Sequence, residues 1–211
     1  MSAPLDVVAA TQGTYAVIAQ EYAKRWGNGN PDDWNVPEAQ RLAGLLAPGA
    51  RVADVGCGPG VHTVQLRELG LRAHGFDLSY EMLTACDVPG QAQADMRALP
   101  IADGALDAVW CAAALLHVPR ELVPRALAEF HRALRPGGHL VLSIAEGEGE
   151  GWEQVPYRQD EQPRYFVYHS YEAITEALAR TGFEVTGHRR RSTHRDWLVL
   201  HARRVQEYIR K

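Results

Sequence analysis

Apolar residues recur near helical spacing at the start of the chain. Val8, Tyr15, Ile18, Ala19 and Tyr22 fall close to one face, which predicts an amphipathic helix over residues 5–26. The run Gly27-Asn28-Gly29-Asn30-Pro31 breaks it. A second, shorter helix is expected over 37–46, with Pro37 in its first turn and Pro48-Gly49 just past its end. From residue 51 the rhythm changes to short apolar runs, each closed by a turn and followed by a helical stretch. Runs 51–55, 71–76, 91–94, 105–111 and 139–145 read as strands. Helices are expected over 61–69, from an N-cap at Ser79 through 85, and over 119–134, the last closed by Arg135-Pro136-Gly137-Gly138. Strands alternating with helices at this spacing need crossover connections, hence a mostly parallel sheet covered on both faces.

Beyond Glu146 the pattern loosens. Glu146-Gly147-Glu148-Gly149-Glu150-Gly151 alternates carboxylate with glycine and reads as a mobile, solvated loop, because that spacing builds no rigid cage for a metal. Residues 152–168 are polar, rich in aromatics and interrupted by Pro156 and Pro163. A helix over 170–180 follows, and strands 183–188 and 196–202 are expected to form a hairpin at one sheet edge. With no repeat and no shift in composition, residues 1–211 read as a single α/β domain.

Composition narrows the classes little further. An apolar share of 46% with a net charge of −4 excludes a disordered or fibrous chain and offers no bulk attraction for nucleic acid or an anionic membrane. The longest apolar stretch, 106–118, contains Asp107 and His117 and is shorter than the roughly 20 residues a membrane span needs. No basic segment followed by an apolar run opens the chain, so no export signal is expected. Cys57, Cys86 and Cys111 have neither CxxC nor zinc spacing and read as reduced thiols of a cytoplasmic protein without a metal. Plentiful Ala, Arg and Gly beside few Lys suggest a GC-rich bacterial source. The C-terminal segment is basic, with Arg189-Arg190-Arg191 and Arg195, and reads as a solvated edge; guidance of RNA or an acidic protein is the alternative.

Candidate chemistry gathers at three strand ends. The first strand leads into Asp54-Val55-Gly56-Cys57-Gly58-Pro59-Gly60 and a helix starts at once. Alternating glycines allow a tight turn and close approach of backbone to a ligand, and the helix start offers unpaired N–H groups. Val61 stands where a dinucleotide loop has its third glycine, and no GK[ST] follows, which disfavours a nicotinamide oxidoreductase and a phosphate loop. Asp77 closes the next strand, where a carboxylate can accept from two ribose hydroxyls. Asp95, followed by apolar Met96, closes the third and can accept from an adenine amino group. Ligands of open α/β sheets bind along this carboxyl edge.

The series VADVGCGPG, GFDLS, ADMRALPIADGALDAVWCAAALLHV and LRPGGHLVLS resembles the class I S-adenosylmethionine-dependent methyltransferases of the small-molecule branch, over roughly residues 15–202. The resemblance implies a Rossmann-like, doubly wound, seven-stranded sheet with an antiparallel last strand. It implies S-adenosylmethionine as cofactor, S-adenosylhomocysteine as product and a small-molecule acceptor, with nucleic acid and membrane not expected as partners. By that likeness Asp54, Gly56, Cys57, Gly58 and Gly60 surround the methionine part of the cofactor, with His62 near its carboxylate end. Asp77 takes the ribose, Leu78 lies beside the adenine, and Asp95 with Met96 meets the adenine edge. Residues 1–47 form a helical lid in which Tyr15 touches the cofactor. Residues 146–169 build an acceptor pocket that includes Tyr157, Arg164 and Tyr168. His117, just past the fourth strand, is the candidate general base, since an ordinary imidazole titrates near neutrality. Shaping the pocket is its other reading. A cofactor-binding regulatory or assembly protein without transferase activity is the alternative for the whole chain.

Overall fold

Residues 52–55 of β1 (Arg51–Val55) are buried in succession, without the alternation of a half-exposed strand. Such burial requires helical layers on both faces of the sheet. A computed structural model describes residues 6–27, 35–155 and 163–205. In it β1 pairs in parallel with β2 (Arg72–Asp77) and with β4 (Leu106–Ala112). β3 (Gln91–Gln93) continues the sheet beyond β2, and β5 (Leu134–Ala145) continues it beyond β4, both in parallel. β9 (Asp196–Arg204) runs antiparallel between β5 and β8 (Phe183–Ser192), giving seven strands in the order β3-β2-β1-β4-β5-β9-β8.

The expected terminal hairpin forms at one edge of the sheet, with β8 outermost and β9 between it and β5. Burial explains the insertion, because residues 197–202 of β9 are all covered. An apolar strand of that kind gains more between two neighbours than at a rim.

Strand alternation divides the core in two. Val109 and Cys111 of β4 face Leu127 and Phe130 of α5 (Val123–Ala133) and Leu178 of α6 (Tyr171–Arg180). Ala108 and Trp110 face the other way, toward Ala39 and Leu42 of α2 (Val36–Leu45) and Leu66 of α3 (Val61–Glu68). On this second side Glu38 and His201, each 3% exposed, meet at 2.6 Å, and Arg189 approaches the other Glu38 oxygen at 3.2 Å. The contact ties α2 to the inserted strand. Burial holds the His201 imidazole below its usual range, so it is the neutral ring that donates Nε2–H to the carboxylate.

Two further expectations change. The helix expected over 119–134 begins only at Val123, because Pro119 is extended at φ −47° and ψ 142° while Pro124 suits the first helical turn. The glycine–glutamate stretch is not a loose loop throughout. β6 (Glu150–Glu153) pairs antiparallel with β7 (Arg164–Val167) in a small second sheet. Two carboxylates of the stretch are engaged, Glu146 by Arg190 and Glu150 by the Arg120 N–H, and Glu153 just beyond it is held by Arg195. Among the described residues no helix is long and apolar enough to cross a membrane.

Replacing Glu38 with alanine leaves His201 buried without its acceptor. The expected cost is about 2 kcal/mol, that of a buried N–H left unsatisfied, read as a lower urea midpoint with an unchanged slope.

Candidate functional site

The carboxyl ends of β1, β2 and β4 and the segment just past β3 meet beneath α1 (Val7–Trp26), enclosing a cavity of about 510 Å³. That volume suits a nucleotide-sized ligand. Its floor is the glycine loop. Gly56 sits at φ 73°, and a Cβ there would lie 2.1 Å from the Ala114 Cβ, so only glycine lets the loop rest against the end of β4. Gly58, also left-handed at φ 54°, turns its N–H toward the neighbouring strand end.

Asp77 receives that N–H. One carboxylate oxygen accepts from Gly58 N at 2.8 Å and the other from Ser79 N at 2.9 Å. Burial pushes the carboxyl upward and these N–H groups pull it back. Ser79 in turn caps α4 (Tyr80–Thr84) by accepting from Met82 N. Asp95 also lines the cavity, with its carboxylate gripped by the Arg97 fork and the Arg97 N–H. Burial raises this carboxyl, yet the Arg97 bonds prevail and hold it below its usual range. Leu78, Met82 and Met96 supply apolar wall.

His117 ends a short 3-10 turn past β4. Its Nδ1 lies 2.7 Å from the Tyr165 carbonyl, which can only accept, so Nδ1 carries the proton. Nε2 therefore accepts from the Tyr15 hydroxyl at 2.8 Å, and Arg164 donates to the Tyr15 oxygen at 3.2 Å. Burial drives the imidazole down to about 3 and raises the Tyr15 phenol. Both groups stay uncharged at neutral pH, and the imidazole lone pair is already used.

Most of the residues singled out from sequence come together on this lining, Tyr15, Cys57, His62, Asp77, Asp95 and His117 among them. Asp54 does not: it is 1% exposed, accepts from Thr63 Oγ1 at 2.6 Å and is pushed by burial to about 6. Gly60, Arg164 and Tyr168 are also off the wall. Arg164 reaches the cavity only through Tyr15, and the Tyr168 hydroxyl donates to Glu153. Tyr157 lies outside the described residues. Of the segment expected as an acceptor pocket, Tyr165 and Phe166 stand behind His117, with Phe166 edge-on to its ring at 4.7 Å. The far wall was not anticipated: it comes from the β8–β9 turn, through Arg191, Thr193, His194 and Trp197. Among the described residues no group of three or more His, Cys, Asp or Glu side chains is arranged to hold a metal.

Residues 53–142 match a family model described as a methyltransferase domain. Over 130 residues the chain is 36% identical to the malonyl-acyl-carrier-protein O-methyltransferase of Serratia marcescens, an alignment covering 55% of this chain and 49% of that one. The chain spans about half the length of the curated relatives it matches. Among solved structures, the 1,6-didemethyltoxoflavin-N1-methyltransferase of Burkholderia thailandensis aligns with a TM-score of 0.74 at 20% identity, covering 98% of this chain and 94% of that one. The 4+2 cyclase SpnF aligns with a TM-score of 0.72 at 18% identity, covering 98% of each chain. At such identities the likeness carries the fold.

The neutral His117 makes stability depend on pH. In the unfolded chain it titrates near its ordinary 6.5, in the folded chain at about 3. Between those values the unfolded state binds a proton that the native state refuses, so the contribution is complete above 6.5 and shrinks as pH falls toward 3. At about pH 5 the loss is about 2 kcal/mol. Urea melts at neutral pH and at about pH 5 should show a loss of at least this size, since burial also lowers His169 and His201, and His117→Gln should shrink the difference by about 2 kcal/mol.

Proposed function

We propose that this chain is a class I S-adenosylmethionine-dependent methyltransferase, which binds S-adenosylmethionine beneath α1 and passes its methyl group to a small organic acceptor, leaving S-adenosylhomocysteine. The observation that carries the reading is the Asp77 carboxylate on the cavity wall. Each of its oxygens accepts one backbone N–H. A second lone pair on each oxygen can take a ribose hydroxyl without disturbing the loop.

The donor set fits the rest of such a ligand. Leu78 and Met96 offer flat apolar contact for an adenine. The Asp95 carboxylate, already held by Arg97, meets the edge of the base. Gly56 and Gly58 bring backbone, with no side chain, to the part that carries the methionine. The bound cofactor supplies an electrophilic methyl group on a sulfonium. The protein supplies orientation and dryness. Gln12 of α1 donates to the Leu78 carbonyl at 3.0 Å and Tyr15 closes onto His117, so α1 covers the cavity as a lid within residues 1–47. Pro163, Arg164 and Tyr165 brace that lid from behind.

His117 is a positioning residue in this scheme. Its only lone pair receives the Tyr15 hydroxyl, and burial suppresses its basicity. The whole chain acts as one domain. Free thiols at Cys57, Cys86 and Cys111, together with bacterial relatives, support a bacterial cytoplasmic setting. One second reading keeps the same cavity, a cofactor-binding regulatory or assembly protein without transferase activity, since fold does not decide chemistry.

Calorimetric titration separates the cases. Micromolar binding of S-adenosylmethionine and S-adenosylhomocysteine is expected, with none for NADH; binding of NADH alone overturns the assignment. Asp77→Ala should weaken S-adenosylhomocysteine by more than about tenfold, or about 1.4 kcal/mol, while the protein stays folded by circular dichroism. His117→Gln should retain at least roughly a tenth of the labelled-methyl transfer rate, since loss of a true general base costs about a hundredfold or more.

A further inference from the structure

β8 is antiparallel to β9, which is antiparallel to β5, so β8 points the same way as β5. Its last residues, Arg191 and Ser192, thus end at the same edge of the sheet as the glycine loop. Strand alternation turns Arg189 and Arg191 to one face and Arg190 to the other.

The arginines of this hairpin are not equivalent. Arg189 meets Glu38 at 3.2 Å, Arg190 meets Glu146 at 2.8 Å and Arg195 meets Glu153 at 3.0 Å. Each is thereby fixed to a different neighbouring element. Among the described residues Arg191 has no carboxylate partner, and it is the hairpin arginine that lines the cavity.

Its surroundings suit an organic anion. The register partner of Arg191 is Trp197, which is 9% exposed and forms aromatic wall. His194 stands edge-on to that indole at 6.4 Å, and its Nε2 accepts from Arg195 at 3.2 Å. Tyr22 and Trp26 of α1 line the same cavity. Of the two carboxylates on the wall, Asp95 is paired with Arg97, and Asp77 is held at the end of β2 by Gly58 N and Ser79 N, in the place assigned to the ribose. A guanidinium presents two parallel N–H groups that match the two oxygens of a carboxylate.

We propose that Arg191 selects the acceptor, an organic carboxylate whose charge pairs with the guanidinium and whose apolar body lies against Trp197. The assignment rests on the transferase reading above, and it places acceptor choice on the hairpin tip.

The test uses two probes of one shape and different charge, 3-phenylpropanoate and 3-phenylpropanamide. Each is titrated calorimetrically into the protein saturated with S-adenosylhomocysteine. Arg191 is exposed at the cavity rim, where solvent weakens the pair, so the anion is expected to bind about fivefold tighter than the amide. Arg191→Gln should bring the two within about twofold, and Arg190→Gln, on the opposite face, should keep the preference. Equal binding of the two probes, binding of neither, or a preference that survives Arg191→Gln overturns the proposal. If S-adenosylhomocysteine itself fails to bind, the cofactor reading falls by that result alone. The same probe pair on the free protein then still decides the role of Arg191.

Discussion

Two N–H groups from separate loops converge on the Asp77 carboxylate, and the shape of the cavity depends on that convergence. Removing a carboxylate from water costs several kcal/mol unless hydrogen bonds replace the solvent. Here the replacements are Gly58 N and Ser79 N, one from the loop after β1 and one from the turn after β2. Both loops are drawn to one point. The first must then turn through left-handed glycines, and the second must start α4 where Ser79 can cap it. The Leu78 carbonyl between them becomes the anchor for Gln12 of the lid. A solvated carboxylate at that position would impose none of this order.

The lid is stitched at more than one place, which accounts for a neutral histidine in the wall. Thr11 Oγ1 accepts from Tyr165 N at 3.1 Å, and Thr14 donates to the Pro163 carbonyl at 3.0 Å. Arg164, 8% exposed, lies over the rings of Tyr15 and Phe166 and donates to the Tyr15 hydroxyl. A protonated imidazole beside that guanidinium would be doubly disfavoured, by desolvation and by like charge. His117 therefore works as an acceptor that fixes the Tyr15 hydroxyl. α1 and the β6–β7 sheet form one braced unit above the strand ends.

Elements whose signal is local were legible from the residues. β1 was delimited correctly, Ser79 was recognised as a cap, and the glycine loop, Asp77 and Asp95 were placed at strand ends that do lie side by side. What escaped depends on pairing between distant residues. β6 and β7 are short, and their register is supported by contacts such as Arg195 to Glu153 that no window of sequence displays. Asp54 sits at a strand end like Asp77, yet its side chain points inward, where Thr63 satisfies it. Only the facing of the strand separates the two. Arg189, Arg190 and Arg191 form a single basic run on paper. Alternation assigns them to faces, but the register of β8 against β9 is needed to know which face meets the cavity.

The insertion of β9 between β5 and β8 also bears on the order in which the molecule is made. During synthesis β5 emerges with one edge unpaired, and β8 emerges with no neighbour in the sheet at all. β5 can dock on β4, but its other edge stays open and β8 stays undocked until Leu198, Val199 and Leu200 leave the ribosome and fill the gap. The nascent chain thus carries an open, apolar sheet edge until nearly its last described residues are translated, a template for pairing with other chains. Closure of the sheet waits for β9, the strand that must enter between two others.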